Sequence, residues 1–411
     1  MKNKNYILSD IYRVPKDKQL KRSEILYHGS LTPLWFNLYK WKNYSIKVSY
    51  ADSVFTADYK VLPYENEINP HLYKPLFYEK KNEQTLYIQV TSVDTLWHTL
   101  RSLAIINAHL SLSNDIPITV SFYNKDYHHF ASHWQLHERV MIGRCISIIN
   151  YFRLIYLLEN KYLDRTELDK ISINLELSRI KPIEINQYDS LFELADKAIK
   201  LEKLQSKSKV VIGYNLSWQN QKLTVLQLPW GVGMAEELIK ALYQLQPQLK
   251  KIGLVGGVGY IGQNKASIDD LFVPDSLIKT DKEGNYSETK IANFYSSIPK
   301  NKYFPEEKKN LSTGKIFSVI PLKGALSRSE MVKKSPIECQ AIDMELKGFI
   351  KAFEAIDSKT DLAAVYYIMD TIHKLQGDTY YSYRFLEKLF SSTERGKYVC
   401  IEKISNFLTS D

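Results

Sequence analysis

Apolar and polar positions follow two different patterns along this chain of 411 residues. Beyond about residue 165, short apolar runs of strand length alternate with segments whose apolar positions recur every three or four residues. Strands are predicted at residues 209–214, 223–228, 251–256, 271–274, 315–320 and 363–370, and helices at residues 189–204, 234–245 and 345–356. A Gln-Asn-Gln turn at residues 219–221 joins the first two strands. This alternation is typical of an α/β fold with a mixed, largely parallel sheet flanked by helices.

Residues 1–165 differ from the rest of the chain in composition and pattern. We expect them to form a separate α+β domain, with a second domain over residues 166–411. Most of the histidines lie in this first part, and few of its segments alternate between strand and helix with glycine turns between them. Strands are predicted at residues 84–90 and 117–123, and helices at residues 96–110 and 140–160, where apolar residues keep near-helical spacing. The polar run at residues 164–170 is the expected boundary between the domains.

Composition is that of a soluble globular protein with room for two domains, at 44% hydrophobic and 25% charged residues. The three cysteines are far apart and odd in number, so they predict neither a disulfide framework nor a paired metal motif. A reducing cytoplasm therefore fits best. The N-terminus is polar and no apolar window approaches membrane-spanning length, so we expect no general secretion signal and no membrane association.

The net charge of +9 raises the question of a nucleic-acid partner. The Lys and Arg residues are scattered and interleaved with acidic residues, whereas a surface that binds the phosphate backbone normally shows clustering and a recognisable module. A nucleic-acid partner is therefore not expected. A smaller phosphate-bearing ligand explains the charge equally well.

Three histidines, His129, His133 and His137, would share one face of a helix. That spacing can offer zinc two neighbouring imidazoles at a time, but the segment carries no HExxH motif. A polar helix face with aromatic neighbours explains the pattern more simply. We therefore predict no metal site.

Two acidic residues stand where chemistry is common in α/β proteins. Glu345 ends the run at residues 341–345 (AIDME) and opens a predicted helix, and Asp370 closes the predicted strand at residues 363–370. Ligands of open α/β sheets bind outside the carboxyl ends of the strands, so the pattern predicts an enzyme. Each residue also has a structural interpretation. Asp370 can cap a following helix that contains Ile372 and Leu375, and Glu345 can complement a helix dipole.

Two glycine-bearing turns are predicted after strands. In residues 229–234 (PWGVGM), Gly231 and Gly233 would let backbone amides approach an anion or a sugar at a helix N-terminus, although a tight turn needs no ligand. The second turn, at residues 256–259 (GGVG), lacks the GxGxxG spacing and the following acidic residue of a dinucleotide site. A nicotinamide-dependent oxidoreductase is therefore disfavoured, and no cofactor is expected.

Taken in this order, the segments between about residues 224 and 370 resemble the purine nucleoside phosphorylase and nucleosidase superfamily, which includes methylthioadenosine nucleosidase and AMP nucleosidase. The resemblance implies that Met344 and Glu345 hold the ribose, with Glu345 accepting hydrogen bonds from both the 2′ and 3′ hydroxyls. It further implies that Asp370 protonates purine N7. The remaining implied substrate-binding residues are Gly231, Gly233, Gly256, Gly257, Val258, Gly259, Ser318, Val319, Ile320 and Met369.

The reaction implied is hydrolysis of the N-glycosidic bond of a purine nucleoside or nucleotide. Cleavage passes through an oxocarbenium-like state, which requires negative charge near the sugar and an acid for the leaving base. Glu345 would serve the sugar and Asp370 the base, with the pKa of Asp370 raised by burial in its apolar strand.

Two alternatives remain open. Phosphorolysis is less favoured because Leu254 stands where phosphorylases usually carry an Arg, so that an Arg such as Arg328 would have to come from elsewhere. The second alternative is a module that binds a nucleoside or nucleotide without turnover. It is supported by two departures from the family pattern, because Met369 replaces the usual Ser and Tyr366 stands where nucleosidases often have Arg. The first domain would add specificity, regulation or the contacts of an expected homo-oligomer.

Overall fold

The computed structural model describes the strands and helices of two compact units. The described part of the first unit lies before residue 131, and that of the second begins at residue 134. The residues described are 2–7, 45–50, 59–61, 76–80, 85–90, 117–122, 134–177, 188–205, 212–228, 232–262, 266–267, 270–280, 285–291, 297–306, 310–318, 338–356, 359–375, 379–382 and 395–410. Within these ranges, no helix has both the length and the apolar character needed to cross a membrane.

The described part of the first unit is a six-stranded sheet with the order β1-β6-β2-β5-β4-β3. Its strands are β1 (Lys2–Ile7), β2 (Ser45–Tyr50), β3 (Tyr59–Val61), β4 (Leu76–Lys80), β5 (Thr85–Val90) and β6 (Pro117–Phe122). Strand β2 pairs in parallel with both β5 and β6. The strands predicted at residues 84–90 and 117–123 are confirmed as β5 and β6, and the helix predicted at residues 96–110 lies outside the described residues.

The second unit combines a large sheet with helices. Its strands are β7 (Arg139–Gly143), β8 (Glu202–Gln205), β9 (Ile212–Trp218), β10 (Gln221–Gln227), β11 (Lys251–Tyr260), β12 (Leu271–Thr280), β13 (Tyr286–Lys290), β14 (Leu311–Ser318), β15 (Ala341–Asp343), β16 (Asp361–Leu375) and β17 (Thr379–Ser382). Its helices are α1 (Cys145–Glu159), α2 (Arg165–Leu177), α3 (Asp189–Ala198), α4 (Val232–Leu245), α5 (Leu346–Ile356) and α6 (Arg395–Thr409).

Strand pairing in this unit follows the order β17-β16-β12-β14-β15-β11-β7-β10-β9-β8, with β13 on β12. Strand β16 also pairs with β11, so that β11, β16, β12, β14 and β15 close a ring of strands. The ring forms because β11 pairs with β7 through its first residues and with β15 through its last two. The fold is therefore mixed α/β, and the sheet has more antiparallel pairs than expected.

Strand β7 is a finding that the sequence pattern did not predict. Residues 140–160 were expected to form one helix, but residues 139–143 pair in parallel with β10 and β11, and α1 begins only at Cys145. Val140, Met141 and Ile142 are fully buried, as a continuous apolar run is in the interior of a parallel sheet. Since β7 belongs to the large sheet, the second unit begins well before the boundary expected near residue 165.

The polar run at residues 164–170 forms the start of α2 instead of a linker. Asp164 and Glu167 exchange backbone-to-side-chain hydrogen bonds of 2.8 Å in each direction, which is a capping box. A second boundary also differs from the expected one. The helix predicted at residues 189–204 ends at Ala198, because Lys200 has a φ of +49° that a right-handed helix does not accept, and β8 follows.

The hairpin between β9 and β10 is confirmed. Its two turn residues, Gln219 and Asn220, have φ values of +46° and +63°, as a two-residue turn of the primed type requires. Helices α4 and α5 also lie within two residues of their predicted bounds.

One expected turn and one expected strand end lie inside longer strands. Residues 256–259 lie within β11 and do not form a turn, and Asp370 lies inside β16, which continues to Leu375. Ile372 and Leu375 pair with β17, so the interpretation of Asp370 as a helix cap is wrong. Both strands are extended by partners distant in the sequence, which a local pattern does not contain.

Candidate functional site

The candidate site lies where β14 and β15 end and α5 begins. The two strands are parallel and place Ser318 opposite Asp343, and both side chains are buried. The Ser318 hydroxyl donates a hydrogen bond to Asp343 Oδ1 and accepts one of 2.9 Å from the backbone N–H of Lys347. The predicted site residue Ser318 is therefore joined to the first turn of α5.

Asp343 caps α5. Its Oδ2 accepts hydrogen bonds from the backbone N–H groups of Glu345 at 3.2 Å and Leu346 at 2.7 Å, and the Tyr366 hydroxyl lies 3.4 Å from the same oxygen. Burial raises the pKa of Asp343, and the hydrogen bonds donated to the carboxylate act in the opposite direction. Sequence reasoning missed this residue. An Asp just before a helical apolar run was the available signal.

Glu345 directly precedes α5 and is buried, with 7% of its surface exposed. Its Oε2 accepts a hydrogen bond of 3.3 Å from the backbone N–H of Met344, and its carbonyl accepts one of 2.9 Å from Gly348. The positive end of the helix dipole stabilises a carboxylate at this position. The predicted pair Met344 and Glu345 thus forms one turn, fixed on the Ser318–Asp343 side by three side-chain-to-backbone bonds.

Tyr366 reaches this turn from the other side of the ring of strands. It is opposite Gly256 in the parallel pairing of β16 with β11, and its hydroxyl lies beside Asp343 at the end of β15. The side chain is buried, with 1% of its surface exposed. Burial raises the pKa of Tyr366 well above its ordinary value, and the charges of Asp343 and Glu345 raise it further. The phenol is therefore neutral and able to donate a hydrogen bond.

Strand register places the backbone of Asp370 near the same region. Asp370 pairs with Gly259, which in turn pairs with Ile342 on β15, so Asp370 and Ile342 flank one strand and lie roughly 10 Å apart, two strand spacings. The register shifts between Val258 and Gly259, leaving an extra residue, Met369, on β16. Bulges of this kind are frequent next to active sites, where they redirect side chains.

The remaining predicted residues are distributed as follows. Gly256, Gly257, Val258 and Gly259 lie on β11 inside the ring, and Gly233 lies in the first turn of α4. Gly231, Val319 and Ile320 lie outside the described residues, as do Arg328, His129 and His133. In the described ranges, no group of three or more His, Cys, Asp and Glu residues has a metal-binding arrangement.

Two further residues bear on the charges available to a ligand. Leu254, where the resemblance implied an Arg in a phosphorylase, is buried and pairs with Ile142 of β7 on one side and Ala364 of β16 on the other. Lys347, in the first turn of α5, has its pKa lowered by burial and then by the charges of Lys279 and Lys351.

Comparison with known proteins finds solved structures of low similarity. No protein-family model matches the chain, and no curated protein matches it in sequence. One similar solved structure is that of a mutant of Helicobacter pylori MTAN with 5′-methylthioadenosine in the active site. It is 11% identical to this chain, with a TM-score of 0.39, and the match covers 65% of this chain and 96% of that one. The futalosine hydrolase of Helicobacter pylori is 12% identical to this chain, with a TM-score of 0.39. The match covers 65% of this chain and 95% of that one.

A third similar structure is the 5′-methylthioadenosine/S-adenosylhomocysteine nucleosidase of Neisseria meningitidis in complex with methylthio-immucillin-A. It is 10% identical, with a TM-score of 0.36, over 66% of this chain and 97% of that one. TM-scores below 0.5 at such identities establish no family, so the function has to be judged from the residues of this chain.

Proposed function

We propose that the second unit hydrolyses the N-glycosidic bond of a purine nucleoside or nucleotide, with Glu345 holding the ribose hydroxyls and Asp370 protonating the base. The observation that supports this proposal is the buried Glu345 carboxylate, held at the start of α5 by a built network. The backbone of Asp370 lies across β11 from Ile342 of β15, the strand that leads to Glu345.

The residue types suit the chemistry. Departure of the base leaves positive charge on the ribosyl ring, and a carboxylate that accepts hydrogen bonds from the ring hydroxyls stabilises that charge. Glu345 takes this role. Asp370 donates a proton to the base as the bond between the anomeric carbon and nitrogen breaks. Water adds its oxygen to that carbon and releases a proton to solvent, from which Asp370 is reprotonated, so the products are the free base and the free sugar.

Water is favoured over phosphate as the nucleophile. A phosphate nucleophile needs a cationic donor, and the position in question is occupied by Leu254, which is buried and apolar. The homo-oligomer, the cytoplasmic location and the role of the first unit remain predictions from the sequence.

One observation favours a second function, namely binding of a nucleoside or nucleotide without turnover. The ring of Tyr366 occupies the space beside Gly256, where the base pocket was expected. A ligand that binds with this ring in place has less room than the resemblance implies. The sequence departures at Tyr366 and Met369 point in the same direction.

The experiment that separates these functions measures free base by chromatography. The purified protein is incubated with a panel of purine nucleosides and nucleotides, with and without inorganic phosphate. We expect base release in phosphate-free buffer, loss of release in Asp370→Asn, and a raised KM in Glu345→Gln. Asp361→Asn, at the opposite end of the same strand, is the matched control and should keep full activity.

Three outcomes contradict the proposal in different ways. Strict dependence on phosphate makes the protein a phosphorylase. A thermal shift with one of the ligands but no base release makes it a binding module. Release that persists in Asp370→Asn removes that residue from the mechanism.

A further inference from the structure

We propose that Asp343 is a positioning residue that orients Glu345 to accept hydrogen bonds from ligand hydroxyls, an inference that rests on the proposed function. The proposal stands on the hydrogen bonds around the first turn of α5. Asp343 does not need to touch the ligand for this role. It acts through the turn that carries Glu345.

The backbone N–H groups at this helix start are all engaged within the protein. Those of Glu345 and Leu346 donate to Asp343, and that of Lys347 donates to Ser318. The N–H of Met344 donates to the Glu345 carboxylate, and that of Gly348 to the Glu345 carbonyl. A helix N-terminus normally offers such groups to an anion. Here all five donate within the protein, so this helix start offers none of them to an anion, and the ionisable group it presents is the Glu345 carboxylate.

The Asp343 carboxylate is itself held from two directions. The hydroxyl of Ser318 donates to Oδ1, and the Tyr366 hydroxyl lies 3.4 Å from Oδ2. The Tyr366 ring is packed against Gly256, which limits the movement of its hydroxyl away from Asp343. Tyr366 also belongs to β16, the strand that carries Asp370 four residues later. The same contact therefore links the turn of Glu345 to the strand of the proposed acid.

This arrangement has a consequence for ligand choice. If Asp343 orients Glu345, loss of the Asp343 charge should weaken recognition of ribose hydroxyls and leave recognition of the rest of the ligand intact. A role limited to stability would weaken all ligands alike. The two roles are therefore distinguished by the preference for a ribonucleoside over its 2′,3′-dideoxy counterpart.

The test uses the full chain with Asp370→Asn as the parent protein, so that no ligand is hydrolysed during isothermal titration with adenosine, inosine and the 2′,3′-dideoxy form of each. In Asp343→Asn, which keeps the size and removes the charge, we expect ribonucleoside affinity to fall about tenfold and dideoxynucleoside affinity to stay unchanged. Tyr366→Phe removes a single donor and should shift the same preference less, which supplies a second variant if Asp343→Asn folds poorly. Asp361→Asn is the matched control and should not change the preference.

A double-mutant cycle completes the test. Glu345→Gln alone should remove the preference, and adding Asp343→Asn to it should cause no further loss. Additive losses, or equal losses for ribo and dideoxy forms, overturn the positioning role. A parent protein that binds nucleosides with a preference unaffected by Asp343→Asn also overturns it while leaving the proposed function standing. A parent protein that binds none of the four overturns both.

Discussion

The phenol ring of Tyr366 lies directly against the α-carbon of Gly256 on the neighbouring strand. A β-carbon added to Gly256 would lie 2.7 Å from Cε1 and 2.9 Å from Cδ1 of that ring. Real β-carbons do not approach other atoms so closely, so glycine is required here to accommodate Tyr366. Since Tyr366 also reaches Asp343, this contact connects β11, β16 and β15 inside the ring of strands.

A first prediction follows from this contact. Gly256→Ala should lower the free energy of unfolding by about 1–3 kcal/mol, because a rigid ring with full burial has little room to move. Chemical denaturation of the single and double variants measures the effect. In the Tyr366→Leu background the added methyl group should cost less than in the wild type, so the two changes should be less than additive. Strict additivity would contradict the packing described for this pair.

Glu402 on α6 supports a second prediction. This buried carboxylate accepts hydrogen bonds from the backbone N–H groups of Lys302, Tyr303 and Phe304 at 2.6, 2.8 and 2.5 Å. Glu402→Gln turns an amide donor toward at least one of these donors. We therefore expect a loss of about 1–3 kcal/mol in the free energy of unfolding.

The same change should expose the segment that Glu402 holds. Limited proteolysis followed by mass spectrometry should show faster cleavage within residues 297–306, because α6 fixes that segment. Glu193→Gln, an exposed position on α3, is the control and should leave both readouts unchanged. Equal cleavage rates in the two variants would argue against this role of Glu402.

A third prediction concerns pH. Glu236 on α4 bonds to Lys240 at 2.5 Å and to Lys351 of α5 at 2.6 Å. Partial burial raises the pKa of Glu236, but the two lysines lower it by more, so the folded-state pKa lies below the ordinary value. The stabilisation is then present above the unfolded pKa and is lost as pH falls through the folded pKa.

Glu236→Gln should therefore cost at most about 1 kcal/mol at neutral pH, since the lysines are exposed. The difference from wild type should vanish in acid and shrink in high salt. Urea denaturation across pH and ionic strength measures it. A difference that grows in acid would reverse the sign of this linkage.

Cysteine reactivity gives a fourth prediction. Cys145, Cys339 and Cys400 are all buried, and none of the three forms a disulfide. Burial raises the pKa of Cys145 strongly and that of Cys339 to about 12, so thiolate is scarce at both. A thiol-specific aromatic disulfide reagent should label none of the three quickly in the native protein and all three in denaturant. Rapid labelling of one thiol in the native protein would mean that its position is accessible.

Part of this structure could be predicted locally. The hairpin at Gln219 and Asn220, the helix that follows Glu345 and the strands β5 and β6 are each encoded by neighbouring residues. Turn chemistry and the spacing of apolar positions act over a few residues, which is why a sequence pattern contains them. The family resemblance, carried by short motifs, pointed to Ser318, Met344 and Glu345, which the fold brings together at the start of α5.

Other features were decided by partners far along the chain. The apolar run at residues 139–143 is a strand because β10 and β11 flank it, and the glycines of residues 256–259 lie in a strand because β16 pairs along its whole length. The contact between Asp343 and Tyr366 was missed for the same reason, since 23 residues separate them and the closed ring of strands brings them together. The sequence by itself thus determined where most helices and strands form and which residues carry the candidate chemistry. The tertiary structure decided which of those residues meet, because pairing across the ring depends on burial that no single segment achieves alone.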